Sequence, residues 1–252
     1  MKLAGWIALV LIVLVFGLYY NEFGINQTIL TDEKDVWGQF GDYFGGVLNP
    51  ILSFISICLL IQSIRVQSVA NRSIFLENKR QQDLDNKKSF EFRFYNLIEA
   101  QKSSLANFSV KVPALAGADK QFGQGDAAQA VNKIEEIIRA VKFRTMSSED
   151  VTRALEELDE RSGDSIYSFA RRFYLLIRLI DVEVVTDNGF ASNDRYTYTE
   201  ILINLSDFSA VRLLCICLAH LNWPSVKYMN EFKELQDVIN DTGLVEYIEG
   251  IR

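Results

Sequence analysis

The chain has 252 residues, a net charge of -7, one histidine and three cysteines. That charge excludes a protein that binds nucleic acid through its overall field, so direct nucleic-acid binding is not expected. Three cysteines exclude a disulfide framework. Cys215 and Cys217 stand two apart on an expected helix, on different faces, and read as packed thiols rather than metal ligands.

The first uncharged run is Leu3 to Asn21. A helix rises about 1.5 Å per residue, so about 20 residues cross a bilayer core. A cleaved signal peptide would need a small-residue cleavage site. Here the run ends Phe16-Gly17-Leu18-Tyr19-Tyr20-Asn21-Glu22, and the tyrosines read as interfacial anchors of an uncleaved span. A second uncharged run, Tyr43 to Ile64, is the next expected span. Between them, residues 21–42 carry Glu22, Asp32, Glu33, Asp35 and Asp42 against Lys34. After them come Arg65, Arg72, Lys79, Arg80, Lys87, Lys88 and Arg93. Basic flanks stay in the cytoplasm, which predicts both termini inside and 21–42 as a short outer loop. The expected localisation is a membrane crossed by two spans in contact with lipid; in a bacterium this is the inner membrane and the outer loop is periplasmic.

The second span holds the candidate site. Gly41 and Gly45 make G-x-x-x-G, followed by Gly46, and small residues let helices approach closely and self-associate. Asn49-Pro50 weakens the helix backbone, unless Pro50 merely opens a shorter helix. Asp42 marks the outer boundary. Ser53, Ser56 and Gln62 would line a polar seam or make ordinary helix–helix hydrogen bonds.

Residues 65–110 read as a long connecting helix without Pro or Gly. Val66, Val69, Ser73, Leu76 and Arg80 follow a loose helical stripe. The polar middle, ENKRQQDLDNKK, predicts a solvated stalk or a coiled coil. Phe90, Phe92, Phe94, Tyr95, Leu97 and Ile98 crowd more than one face, so this end should be buried in a domain.

Residues 111–252 read as an all-α cytoplasmic domain. Residues 111–129 are rich in Pro, Gly and small residues and are expected to be a loop. Helices are expected over Val131–Phe143, from Ser147, over Ser165–Val185 (ended by Asp187-Asn188-Gly189), over Asn193–Asn204, from Ser206-Asp207 to Leu221, and from Pro224 to Asn240. The whole is therefore an all-α chain, two N-terminal transmembrane helices (residues 1–64) followed by a helical cytoplasmic domain.

Chemistry is sparse. Arg212 and His220, eight residues apart, share a helix face in the manner of one all-α RNase signature, but the spacing is longer and Leu213 follows the arginine. The plainer expectation is a surface arginine and a hydrogen-bonded histidine. Arg171, Arg172 and Arg178 could touch phosphate, but without a motif they are expected to pair with acids such as Asp164 and Asp181, and Glu156, Glu157, Asp159 and Glu160 to form a solvated face. There is no phosphate-binding P-loop, no G-x-S-x-G and no zinc spacing. No enzyme and no cofactor are expected.

The run WGQFGDYFGGVLNPILSFISICLLI (Trp37–Ile61) resembles the signature of the AbiC-like phage abortive-infection membrane proteins, in Phe40-Gly41-Asp42, Tyr43-Phe44-Gly45-Gly46 and Asn49-Pro50. FEFRFYNLIEAQ (Phe90–Gln101) and Tyr198 to Leu221 are similar to two further stretches of that family, with Ser209 or Ala210 where it has an acidic residue. The resemblance covers both ends of the chain and not its middle. It implies antiviral defence: an effector that disrupts or depolarises the membrane of an infected cell. Some two-span proteins of this kind are effectors of retrons, held inactive by a reverse transcriptase and its RNA-linked DNA (msDNA). The reading from another class is a membrane-anchored scaffold or sensor that recruits a partner through its helical domain.

Overall fold

The computed structural model describes residues 2–21, 34–113, 119–145 and 147–251. The described residues are all-α apart from one short hairpin, and the chain divides into two compact units, Met1–Lys79 and Arg80–Arg252. Helix α1 is Lys2–Tyr19 and α2 is Lys34–Leu105. Among the described residues, one helix is long and apolar enough to cross a membrane, Gly41–Leu105 within α2; the Gly5–Leu18 stretch of α1 is apolar but shorter.

In the first unit Val15 of α1 and Leu48 of α2 are buried, and Phe16 meets Phe44 edge-on with ring centres 6.3 Å apart. Residues 34–42 were expected in a loop, but α2 begins at Lys34. The backbone there has no helix breaker before Gly38, and propensity carries the helix outward past the apolar run. Glu22, Asp32 and Glu33 lie outside the described residues. Pro50 is well inside α2, not at its start. Having no N–H, it cannot close the turn onto the Gly46 carbonyl.

The second unit is built around α2 from Arg80 onward and the helices that follow. These are α3 (Ala127–Thr145), α4 (Ser148–Arg161), α5 (Ser165–Glu183), α6 (Asp194–Leu205), α7 (Phe208–His220), α8 (Pro224–Glu231), α9 (Lys233–Asp241) and α10 (Leu244–Ile251). Helix α7 is apolar nearly all round and forms the centre: Ala210, Val211, Leu213, Leu214, Cys215, Ile216, Cys217 and Leu218 are buried. Helices α3, α4, α5, α8 and α10 pack around it, and α6 packs on α9. Helix α5 supplies Phe169, Phe173, Ile177 and Ile180 to the same core. Helices α6 and α7 are jointly apolar enough to pass the composition test for a span, but they meet at 117° and most of α7 is buried within the unit.

Only one face of the aromatic stretch of α2 is covered. Phe90 and Phe94 are fully buried, stacked on each other and edge-on to Tyr198, whereas Phe92 is 72% exposed. Spacing explains this, because positions four apart share a helix face and a position two away does not. Burial of each such ring contributes about 1.5–3 kcal/mol.

The structure departs from the expected loop at 111–129. Strand β1 (Val110–Val112) pairs antiparallel with β2 (Lys120–Phe122), Lys111 opposite Gln121. The expected last helix is also two, α8 and α9, broken at Phe232, which turns extended to bury its ring. Helix α10 was not expected at all.

Candidate functional site

Gly41, Asp42, Gly45, Gly46, Asn49, Pro50, Ser53 and Ser56 all lie on α2 within the first unit. Their exposure separates them into faces. Leu48 is buried and Phe44, Leu52, Ile55 and Leu59 are half-buried, which marks the row turned toward α1. Gly45 is half-buried at the edge of that row, and a side chain there would first meet the Asn49 amide, at 3.6 Å. Nothing lies within 4 Å of a side chain added at Gly41 or Gly46. Asp42, Gly46, Asn49, Ser53 and Ser56 follow steps of four and three and are all exposed. At about 100° per residue they fall on one stripe, roughly 120° from the row that meets α1. Gln62 does not join them: six residues beyond Ser56, it is about 120° around the helix. Exposed apolar side chains, Phe54, Ile57 and Ile61, fill the rest of the circumference, and Leu60, four residues beyond Ser56, ends the polar stripe.

The second unit places the other residues singled out from sequence. Arg212 is not a surface group. It is mostly covered, and it donates to the Glu135 carboxylate from Nε at 2.9 Å and Nη2 at 2.5 Å, and to Asn132 Oδ1 at 2.9 Å. Tyr247 donates to the same Glu135 oxygen at 2.5 Å, so one buried carboxylate joins α3, α7 and α10. Burial and that bond both push the Tyr247 hydroxyl pKa up. His220 is hydrogen-bonded as expected and more fully buried than expected, its Nε2 2.8 Å from the Ile251 carbonyl oxygen at the end of α10. Arg212 and His220 thus face different partners.

Three ion-pair expectations are corrected. Asp181 pairs with Arg195 and accepts from Tyr228, not from the α5 arginines. Arg172 donates to Gln101 Oε1 at 3.1 Å, and Arg178 to the Tyr174 hydroxyl at 3.3 Å. Gln101 is on α2, Tyr174 is one turn back along α5 itself, and Asp181 is taken by Arg195 and Tyr228. Within the acidic run of α4, Asp159 is buried while Glu156, Glu157 and Glu160 are exposed. Asp159 accepts from the Ile166 and Tyr167 N–H groups at 2.7 and 3.2 Å, satisfying the first turn of α5. Burial pushes its carboxyl pKa up, against the pull of those two bonds.

Both α7 thiols are fully buried, and burial pushes Cys215 up to about 12 and Cys217 further. Among the described residues no cluster of His, Cys, Asp or Glu is arranged to hold a metal. A polar cleft of about 200 Å³ lies among Asn86, Ser89, Arg93, Glu183, Asn188 and Phe190. Its floor is the paired Arg93 and Glu183, with Arg93 Nη1 2.7 Å from Oε1. No protein-family model, no curated protein and no solved structure matches the chain.

Proposed function

We propose that this chain is a membrane effector of antiphage defence. Its two N-terminal helices cross a bacterial inner membrane with both termini inside, and on release by a trigger several copies assemble and depolarise the membrane. Until then a partner, such as a retron reverse transcriptase with its msDNA, holds it silent. The observation that carries this reading is the exposed stripe Asp42, Gly46, Asn49, Ser53 and Ser56 on an otherwise apolar helix. Polar side chains are costly against lipid and are retained where they meet another helix or a water-filled path. Small residues at Gly41, Gly45 and Gly46 allow close helix approach there. The acidic 21–42 segment and the basic 65–93 segment support the orientation. The defence role rests on the resemblance of Trp37–Ile61 to the AbiC-like proteins.

The test is membrane potential, read by a voltage-sensitive dye, in bacteria induced to make the full chain without neighbouring genes. Depolarisation by the full chain and none by residues 65–252 is the expected result. Joint Asn49→Leu, Ser53→Leu and Ser56→Leu substitution should abolish it with insertion retained. Gly45→Leu should weaken it likewise. Growth arrest with the potential intact overturns the reading.

The second unit favours another reading. It has a complete core of its own yet exposes Phe92, Phe143 and Phe208. A scaffold that recruits a partner through those rings would keep its function when both membrane helices are exchanged for unrelated ones, and an effector that breaches the membrane would lose it.

A further inference from the structure

Every residue of α2 from Leu60 to Gln82 is exposed. The stretch includes Val66 at 64%, Val69 at 69% and Leu76 at 58% exposure. A helix in water draws most of its stability from packing an apolar face, and this one has no packed face within its own unit.

One apolar row runs along this stretch, although Ile64, Ile74 and Phe75, also exposed, lie off it and Gln62 and Ser73 interrupt it. Leu48, Leu52, Ile55, Leu59, Gln62, Val66, Val69, Ser73 and Leu76 recur at alternating steps of four and three. That is the a/d row of a heptad, with a mean period of about 3.5 residues, the period of two helices wound on each other. Leu48 is buried, and Leu52, Ile55 and Leu59 are half-buried within the first unit. From Gln62 onward the same row stands open. The next members, Arg80 and Asp83, are charged and end it.

We propose that residues 62–79 of α2 pair with the same residues of a second copy of this chain as a parallel, two-stranded coiled coil. Val66 and Ser73 take the a positions, and Gln62, Val69 and Leu76 the d positions. The flanks choose both the occupant and the direction. The g positions are Arg65, Arg72 and Lys79, all basic, and the e positions are Ser63, Ala70 and Glu77. A parallel pair sets each g against the e five residues further on in the other copy. Arg65 then meets Ala70, and Arg72 meets Glu77, an attractive pair made twice by symmetry. An antiparallel pair would set the basic g row against itself. A β-branched Val66 at a with Leu76 at d is the two-stranded preference, and Gln62 and Ser73 inside the row hold the register.

The parallel direction agrees with the proposed membrane insertion, on which this inference rests, since copies inserted the same way run the same way. It does not rest on toxicity. The test is disulfide cross-linking of the full chain in its own membranes, in a Cys58→Ser background; Cys215 and Cys217 are fully buried. Val69→Cys and Leu76→Cys should each give a dimer band on oxidation. Asn71→Cys and Asn78→Cys, on the opposite f positions, should give none. Adding Glu77→Arg should remove the Leu76→Cys band, and Arg72→Glu together with Glu77→Arg should restore it, which a folding defect would not do. Equal bands at f and d positions overturn the proposal, as does failure of the charge exchange to restore the band. So does the absence of a band at every position, whether water or lipid is then found to cover Val69→Cys. Depolarisation without cross-links refutes this pairing alone, and cross-links without depolarisation refute the effector reading alone.

Discussion

Gly189→Ala is the sharpest test of how the second unit is assembled. Gly189 follows the 3-10 turn Thr186–Asn188 with φ of 86°, a left-handed conformation. A Cβ there would lie 2.5 Å from Asp83 Cβ, 2.9 Å from Asp83 Cγ and 3.1 Å from Asp83 Cα. Two costs follow. The left-handed backbone costs a residue with a Cβ about 1–2 kcal/mol. Overpacking against Asp83 costs about 1–3 kcal/mol more, because its Cβ, the nearest atom, is fixed by the helix backbone and cannot swing aside as the end of a long side chain would. A loss of about 3 kcal/mol in a domain of this size lowers the melting temperature by about 6–12 °C. The turn also delivers Phe190, whose ring meets Phe90 edge-on at 5.3 Å, so the strain falls on the core. The assay is thermal unfolding of the detergent-solubilised full chain by circular dichroism. Adding Asp83→Gly should recover the contact part, less the roughly 1 kcal/mol that a glycine costs inside a helix. A Gly189→Ala chain within about 0.5 kcal/mol of the parent would refute the close approach, since ordinary surface changes fall in that range.

Three further outcomes are expected. Tyr247→Phe removes the bond to Glu135 Oε1 and should cost about 1.5–3 kcal/mol, the range for a hydrogen bond to a charged group; it should also speed amide exchange in α10, and unchanged exchange would contradict the link between α10 and α3. Asp159 has its carboxyl pKa raised in the fold, so the folded chain holds that proton more tightly than the unfolded one. Its contribution is therefore greatest in acid and is lost as pH rises through the raised value; urea midpoints of wild type should fall relative to Asp159→Asn between acid and neutral pH, and parallel curves would count against the burial. Cys215 and Cys217 should resist a water-soluble maleimide until the chain is unfolded, and rapid labelling of either in the native chain would contradict the packing of α7.

Much of the helical layout was legible because its signals are local. Val131, Ile134, Ile138 and Ile166, Phe169, Phe173, Ile177 follow the helical period, and these residues line the core. Asp187-Asn188-Gly189 and Pro224 mark helix boundaries through backbone chemistry that no distant residue needs to supply. The polar stripe on α2 was read only in part: the sequence reading joined Ser53 and Ser56 to Gln62, whereas the helical angle sets Gln62 apart and brings Asp42, Gly46 and Asn49 onto their face.

What spacing leaves open is which face meets what. Asp159 stands in an acidic run and looks solvated, yet the turn at Gly163 and Asp164 folds the start of α5 back over it. Glu135, Arg212 and Tyr247 carry no mutual signal, because 77 and 112 residues separate Glu135 from its partners and a shared hydrogen bond has no period. Phe90 and Phe92 are alike in composition, and only the arrival of Tyr198 and Phe190 decides that one ring is buried and the other open. By itself the sequence determined most of the helices up to α7 and the apolar stretch long enough for a membrane, because these follow from period and backbone propensity, while the break at Phe232 and helix α10 came only with the structure. The tertiary structure alone decided which carboxylates and arginines are buried together, because that depends on long-range packing.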